Sequence, residues 1–364
     1  MNLLLYIAMS VAGYLGTLHE LLFERTNKSL FSITVLLFIL SACSRIGYSP
    51  ADDDLSIYIN LFQHPDEIYF EPGYIFVSDV IRFLLGSAPS VLVVTVCLWI
   101  VCFFVSALLI CIWFYDRDES FFQKVLCASY LNTMLFVMIL YWGCFFAAET
   151  LRVGMAISLL YCSCALAINN KVIFSVLLSL IAALFHLSSM LFTIGLVIMF
   201  VLKNLNMEQK QFLIWFFVMV AFDVIVGVFR IVSLPAFDDM FEIMSQIEML
   251  THFTSYRGEE NEGYMNTQYI TYHLLGLLMI WGNLDDKRFN KIVILYYIGL
   301  SIGTIFQFMD VVIRIQWLFL AMIVFAFYYF IKDDRYSFWL KNSVISFYAI
   351  VQMVMLLRVL GWHM

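Results

Sequence analysis

Three arginines stand at the ends of long apolar runs, where a charged side chain is unusual. They are Arg45, Arg152 and Arg314. The planar guanidinium group can bind phosphate or carboxylate through two parallel hydrogen bonds, which a lysine ammonium cannot do. A charge within an apolar segment is energetically costly and is therefore a functional candidate by default. Together the three arginines predict a site for an anionic ligand.

Local ion pairs are the alternative explanation for two of these arginines. Glu149 precedes Arg152 by three residues, and Asp310 precedes Arg314 by four. Side chains at these spacings are neighbours on one face of a helix. The residues alone leave both interpretations open, although three arginines at similar positions favour the anionic ligand.

Two residues could act as a general base. His186 is the one histidine deep within an apolar segment, where it is either a proton acceptor or a buried hydrogen-bonded side chain. Asp54 ends a run of three aspartates. Three interpretations of this run are open: a set of metal ligands, a catalytic base, or a solvated loop. Asp54 and Tyr58 would share one face of a short helix. Because no DxD-type partner set elsewhere makes a divalent-metal site convincing, we predict no metal site.

Membrane helices must position these residues. Of the 364 residues, 63% are hydrophobic and 13% are charged, and apolar runs of about 20 residues recur from end to end. A soluble domain could not bury so much apolar surface. The composition predicts an all-α, polytopic bundle of about twelve transmembrane helices. We expect this bundle to form a single membrane-embedded domain over residues 1–364.

The distribution of basic residues predicts how the chain is oriented. All nine lysines fall in one set of predicted loops, which the positive-inside rule places in the cytoplasm. The opposite side has arginine but no lysine, and it carries both termini and the two long loops 48–71 and 233–267. Long outer loops indicate that binding or chemistry takes place outside. A polyprenyl pyrophosphate, with its tail in the bilayer and its head group at the surface, would suit the arginines.

Two segments differ from ordinary spans. Segment 72–86 is short and carries Asp79 and Arg82 at helical spacing, which predicts an interfacial or re-entrant helix at the outer, periplasmic surface. Segment 171–202 is longer than one span requires. We interpret it as a helical hairpin that turns at His186 and places this residue near the outer face.

Nucleotide-binding motifs do not occur in the sequence. It contains neither a GxGxxG pattern nor a P-loop, and its predicted inner loops are too short for an ATPase domain. The energy for a reaction must then come from a pre-activated substrate or an ion gradient. We predict no cofactor and no nucleic-acid partner.

Three segments, taken together, resemble a known family. The first combines Ser44–Gly47, Asp53–Tyr58 and Phe70–Tyr74, the second combines Glu149–Ala156 and Phe185–Ser189, and the third is Asp310–Arg314. Their order and spacing are similar to those of the EpsG-like, Wzy-type polymerases of bacterial O-antigen and exopolysaccharide assembly. The resemblance covers most of the chain.

This resemblance implies a GT-C-like membrane glycosyltransferase that inverts configuration and needs no metal. It would polymerise undecaprenyl-pyrophosphate-linked oligosaccharide repeat units at the periplasmic face of the bacterial inner membrane. Lipid-linked glycans would be both donor and acceptor, and a chain-length regulator protein would be a further partner.

The candidate residues then take three roles. The predicted pyrophosphate-binding residues are Arg152 and Arg314, supported by Arg45. The predicted catalytic residues, one of them the base and the other positioning the acceptor, are His186 and Asp54. The predicted sugar or acceptor groove consists of Tyr58, Glu71, Tyr74 and Glu149.

Two other functions remain open at this stage. An O-antigen ligase would use the same donor with a lipid A-core acceptor, although the Glu-Pro-Gly-Tyr stretch favours the polymerase. A flippase or another transporter should carry charged residues along a central path and functional loops on both faces. Here the charges within apolar segments cluster toward one face, with Asp223 as the main exception.

Overall fold

A computed structural model describes residues 1–45, 54–64, 71–112, 128–202, 207–229, 267–305 and 310–359. Within these ranges the regular structure is helical, which confirms the all-α class. The helices are α1 Leu3–Phe23, α2 Lys28–Cys43, α3 Asp54–Gln63, α4 Pro72–Leu85, α5 Pro89–Ile112, α6 Leu131–Ala148, α7 Leu151–Ile168, α8 Val172–Ala183, α9 Ser189–Leu202, α10 Gln209–Phe229, α11 Thr267–Ile280, α12 Lys287–Ile305, α13 Asp310–Leu320, α14 Ile323–Lys332 and α15 Phe338–Val359.

These helices are those of a membrane bundle. Seven helical segments of the described residues are long and apolar enough to cross a bilayer, and four shorter apolar helices accompany them. The total of about twelve crossings and the GT-C-like arrangement remain predictions. Most of the two predicted outer loops lies outside the described residues.

The chain divides into two compact units. Unit 1 contains Met1–Leu196 and Ala321–Met364, and unit 2 contains Val197–Leu320. The single domain over 1–364 stays a prediction.

Helix α6 is the central helix of unit 1 and is entirely buried within the protein. Its segment Ile139–Gly143 forms a π-helical turn, which leaves backbone carbonyls without the usual helical partner. The Tyr6 hydroxyl donates to the Leu140 carbonyl, and the Tyr348 hydroxyl lies 3.4 Å from the Val137 carbonyl. Helices α1 and α15 thus hold this irregular turn in place.

The helical break at His186 is confirmed. Helix α8 ends at Ala183 and α9 begins at Ser189. The Ser179 and Thr193 hydroxyls, on either side of the break, lie 2.8 Å apart. In one straight helix they would be separated by about 21 Å, so the chain turns back on itself between them.

Segment 72–86 forms the short helix α4. Pro72 occupies its first turn, where a missing N–H costs nothing, and Gly86 ends it with φ of 61°. Asp79 and Arg82 form the expected ion pair, 2.6 Å apart. The position of α4 at a membrane surface stays a prediction.

Unit 2 contains α10, α11, α12 and α13. The Tyr296 and Tyr297 hydroxyls of α12 donate to the backbone carbonyls of Tyr272 and Gly276 on α11. Two buried tyrosines therefore tie these two helices together.

Candidate functional site

The beginning of α4 is docked onto the turn between α8 and α9. The Gly73 N–H donates to the Leu184 carbonyl over 2.8 Å. A Cβ atom at residue 73 would lie only 2.7 Å from that same oxygen, so glycine is needed for this close approach. The Glu-Pro-Gly sequence thus starts a helix and lets its backbone contact the turn that carries His186.

Glu71, immediately before this helix, is the centre of the site. Its Oε2 atom accepts from Arg152 Nη1 of α7 at 2.5 Å. Its Oε1 atom lies 3.2 Å from His186 Nδ1 and 3.4 Å from the Leu187 backbone N–H. One carboxylate therefore connects α4, α7 and the α8–α9 turn.

The surroundings of Glu71 keep it ionised. Burial raises the pKa of this carboxyl, but the hydrogen bond with His186 and the charges of Arg152 and His186 outweigh that effect. Together they lower its pKa from 4.5 to about 2. At neutral pH the site contains a carboxylate held between a permanent cation and an imidazole.

Two tyrosines form the aromatic side of this site. The Arg152 guanidinium carbon lies 5.9 Å from the centroid of the Tyr58 ring on α3, within the range of a cation–π interaction. Tyr58 and Tyr74 contact each other with ring centroids 5.4 Å apart. Tyr74 is fully buried, and burial raises the pKa of its hydroxyl well above the usual value. Its hydroxyl therefore stays protonated.

Arg45 and Glu149 form a second and separate ion pair in unit 1. Arg45 Nε and Nη2 donate to the two carboxylate oxygens at 2.8 and 3.1 Å. Glu149 lies at the corner between α6 and α7, three residues before Arg152. This corner is tight, because a Cβ at Gly154 would lie 1.8 Å from the Phe146 carbonyl oxygen. The pair therefore fixes the start of the helix that carries Arg152.

The structure gives Arg152 and Glu149 partners far along the chain in place of the local pair considered above. It brings together five of the predicted residues, namely Glu71, Arg152, His186, Tyr58 and Tyr74. Asp54 begins α3, one turn before Tyr58, and Arg314 lies on α13 of unit 2. The side chains of Asp54 and Arg314 are outside the described residues, so their predicted roles stay predictions.

Three contributions of the backbone were missed by the sequence analysis. They are the Leu184 carbonyl, the Leu187 N–H and the glycine requirement at residue 73. The Pro-Gly dipeptide after Glu71 was a signal for a special backbone position there. Its partner could not be read from the sequence. Among the described residues no group of three histidine, cysteine, aspartate or glutamate side chains could hold a metal ion.

A sequence model of the EpsG family matches residues 30–363. The chain belongs to the EpsG family. This is a family of Wzy-like polymerases, so the resemblance inferred from the motifs is confirmed, and all the candidate residues lie within the matched range. Comparisons with curated proteins and with solved structures gave no significant match. EpsG proteins are associated with polysaccharide polymerisation.

Proposed function

We propose that this EpsG protein polymerises undecaprenyl-pyrophosphate-linked oligosaccharide repeat units by inverting glycosyl transfer without a metal. The reaction would take place at the periplasmic face of the bacterial inner membrane. The observation that carries the proposal is the Glu71 carboxylate shared by Arg152 and His186. This carboxylate holds a cation, Arg152, and orients an imidazole, His186. Such a transfer needs a cation for the leaving group and a base for the acceptor hydroxyl.

His186 is the proposed general base. When its Nδ1–H donates to Glu71, the other ring nitrogen, Nε2, becomes the proton acceptor. The acceptor sugar hydroxyl attacks the anomeric carbon of the donor and gives its proton to Nε2. The bond from that carbon to the pyrophosphate oxygen breaks at the same time. The Glu71 carboxylate stabilises the imidazolium that forms.

Arg152 is the proposed binding group for the leaving pyrophosphate. A guanidinium has five N–H donors, more than one carboxylate uses, so Arg152 can bind Glu71 and phosphate oxygens together. Its positive charge would stabilise the negative charge that develops on the leaving group. Arg45 supports this group indirectly, through Glu149 and the start of α7. Arg314 is the second proposed pyrophosphate ligand.

A reconstituted assay tests this function. The protein in lipid vesicles would receive a synthetic undecaprenyl-pyrophosphate-linked repeat unit, without nucleotide and with a chelator present. We expect a ladder of multimers on a gel, and Arg152→Ala protein is the matched control. A product found only on an added lipid A-core acceptor would identify a ligase. Translocated but unjoined substrate would identify a transporter, and either result would reject the polymerase.

A further inference from the structure

Unit 2 contains a buried polar cluster that takes no part in the site described above. Three helices contribute to it, with Asp223 on α10, His273 on α11 and Thr304 on α12. His273 Nε2 lies 3.5 Å from Asp223 Oδ2 and 3.5 Å from Thr304 Oγ1. Each of the three residues is less than one-tenth exposed. An acid and a base thus face each other inside a membrane helix bundle.

Stability alone does not account for these residue types. Withdrawing ionisable groups from water costs several kcal/mol, and well-packed apolar residues in place of a buried ion pair are often as stable or more so. An apolar ring lies beside the pair, since the Phe216 ring centroid is 6.2 Å from that of His273. Ionisable residues within membrane segments commonly serve proton or ion movement.

A further buried polar atom lies against the residue that precedes Thr304 in α12. A Cβ at Gly303, the neighbour of Thr304, would overlap the side-chain amide oxygen of Gln316 on α13. Gln316 is 3% exposed, and this oxygen has no hydrogen-bond partner among the described residues. A buried carbonyl oxygen without a donor is costly, so this part of unit 2 offers an acceptor for an additional proton donor such as water.

The charged residues at the beginnings of α10 and α12 lie far from the pair. Lys210 lies in the first turn of α10, about 20 Å along the helix from Asp223. Asp285, Asp286, Lys287, Arg288 and Lys291 lie at or near the start of α12, with Lys287 about 25 Å from Thr304 along the helix. The Tyr296 and Tyr297 hydroxyls are bonded to carbonyls of α11. Asp310 and Arg314 lie in the first turns of α13, where side chains are outside the described residues. The pair thus lies at the lysine-free end of α10 and α12.

We propose that Asp223 and His273 form a proton-binding site in unit 2. With one proton bound the pair is neutral overall, as aspartate with imidazolium, and without it the pair carries one negative charge. A second proton converts the aspartate to a neutral carboxylic acid. Because the groups interact closely, their protons bind as a coupled system and not independently. This proposal does not depend on the polymerase function.

A lipid-soluble carbodiimide tests the site directly, because it reacts with protonated carboxyl groups in apolar surroundings. The full-length protein in vesicles would be treated between pH 5 and pH 8, and modification of Asp223 would be measured by peptide mass spectrometry. Glu149 is the comparison carboxyl, since it is also buried but pairs with an arginine and not with an imidazole. Asp223→Asn protein shows which signal belongs to this carboxyl.

We expect modification of Asp223 to rise about tenfold or more as the pH falls from 8 to 5. In His273→Gln protein the single proton can no longer reside on the imidazole, so Asp223 should react at higher pH and several-fold more at pH 7. Thr304→Val, which keeps both ionisable groups, should preserve the wild-type dependence on pH. A modification that is constant across the pH range, or equal in wild type and His273→Gln, would overturn the proposal.

Discussion

The Arg45–Glu149 pair and the Glu71 site, both in unit 1, differ in how their carboxylates are bound and in how far they are exposed. Arg45 and Glu149 form two parallel hydrogen bonds, and their side chains are only 7% and 11% exposed. Glu71 divides its oxygens between Arg152 and His186, whose side chains are 24% and 20% exposed. The Glu149 carboxylate is bound by two donors of one arginine in a largely buried position, whereas the Glu71 carboxylate is shared by two groups that water or a ligand can reach.

This difference separates a structural pair from a site for chemistry. An ion pair with two parallel hydrogen bonds that is shielded from solvent is poorly placed to meet a ligand. A carboxylate shared by a cation and an imidazole can instead exchange one partner for substrate while it keeps the other. Of the two arginines, Arg152 is therefore the one that we expect to act on substrate.

The largest expected effect is at the proposed base. His186→Ala should lower the initial rate of polymerisation by about 10²–10⁴-fold, because the acceptor hydroxyl loses its proton acceptor. Donor binding, measured with a radiolabelled lipid-linked repeat unit, should stay close to wild type. Asp54→Asn is the comparison and should weaken the rate only modestly. Near-normal multimer formation by His186→Ala would show that another residue is the base.

Breaking the Arg45–Glu149 pair should lower the stability of the folded protein. Arg45→Met alone leaves the Glu149 carboxylate buried without its partner, which typically costs about 3–5 kcal/mol. The double variant Arg45→Met with Glu149→Leu removes both charges and should recover most of this loss. Thermal unfolding in detergent measures the stability of the single and the double variant. A double variant as unstable as the single one would show that the two residues act outside their pairing.

A smaller effect is expected from exchanging one cation for another at the shared site. Arg152→Lys keeps the charge but loses the planar fork that can bind Glu71 and phosphate together. We expect normal insertion into the membrane and a polymerisation rate reduced by roughly 10–100-fold, about 1.4–2.7 kcal/mol in the barrier. Loss of folded protein in this variant would assign Arg152 a structural role like that of Arg45.

The last prediction concerns stability in acid, where only conditions well below neutral pH reveal the effect. The pKa of Glu71 is lowered from 4.5 to about 2 in the folded protein, so its contribution is fully present above pH 4.5 and is lost as the pH falls toward 2. The total available from this shift is roughly 3 kcal/mol. Thermal unfolding between pH 6 and pH 2.5 should therefore be less acid-sensitive in Glu71→Gln than in wild type. Equal sensitivity in the two proteins would show that Glu71 is not held ionised.

The sequence predicted features that depend on neighbouring residues. The break at His186, the short helix with its Asp79–Arg82 pair and the apolar helices all follow from local composition and spacing. The partners of Glu71 could not be predicted in this way, because they lie 81 and 115 residues further along the chain. Spacing along the sequence identifies only side chains that are neighbours on a helix, at i, i+3 and i, i+4. It therefore suggested Glu149 as the partner of Arg152.

The irregular turn of α6 was also beyond the sequence analysis. Nothing in Ile139–Gly143 distinguishes it from an ordinary apolar helix. Tyrosine hydroxyls from α1 and α15, distant parts of the chain, contact the Leu140 carbonyl within the turn and the Val137 carbonyl just before it. An arrangement that depends on such partners becomes visible only after the helices have packed.

The wide separation of Glu71 from its partners has a consequence for biosynthesis. A ribosome adds about 5–20 residues per second, so roughly 6–23 s pass between the synthesis of Glu71 and that of His186. Arg152 becomes available first, and the turn that anchors Gly73 follows. Until then Gly73 lacks the Leu184 carbonyl to which its N–H donates in the folded protein. The candidate site is thus assembled only after more than half of the chain has left the ribosome.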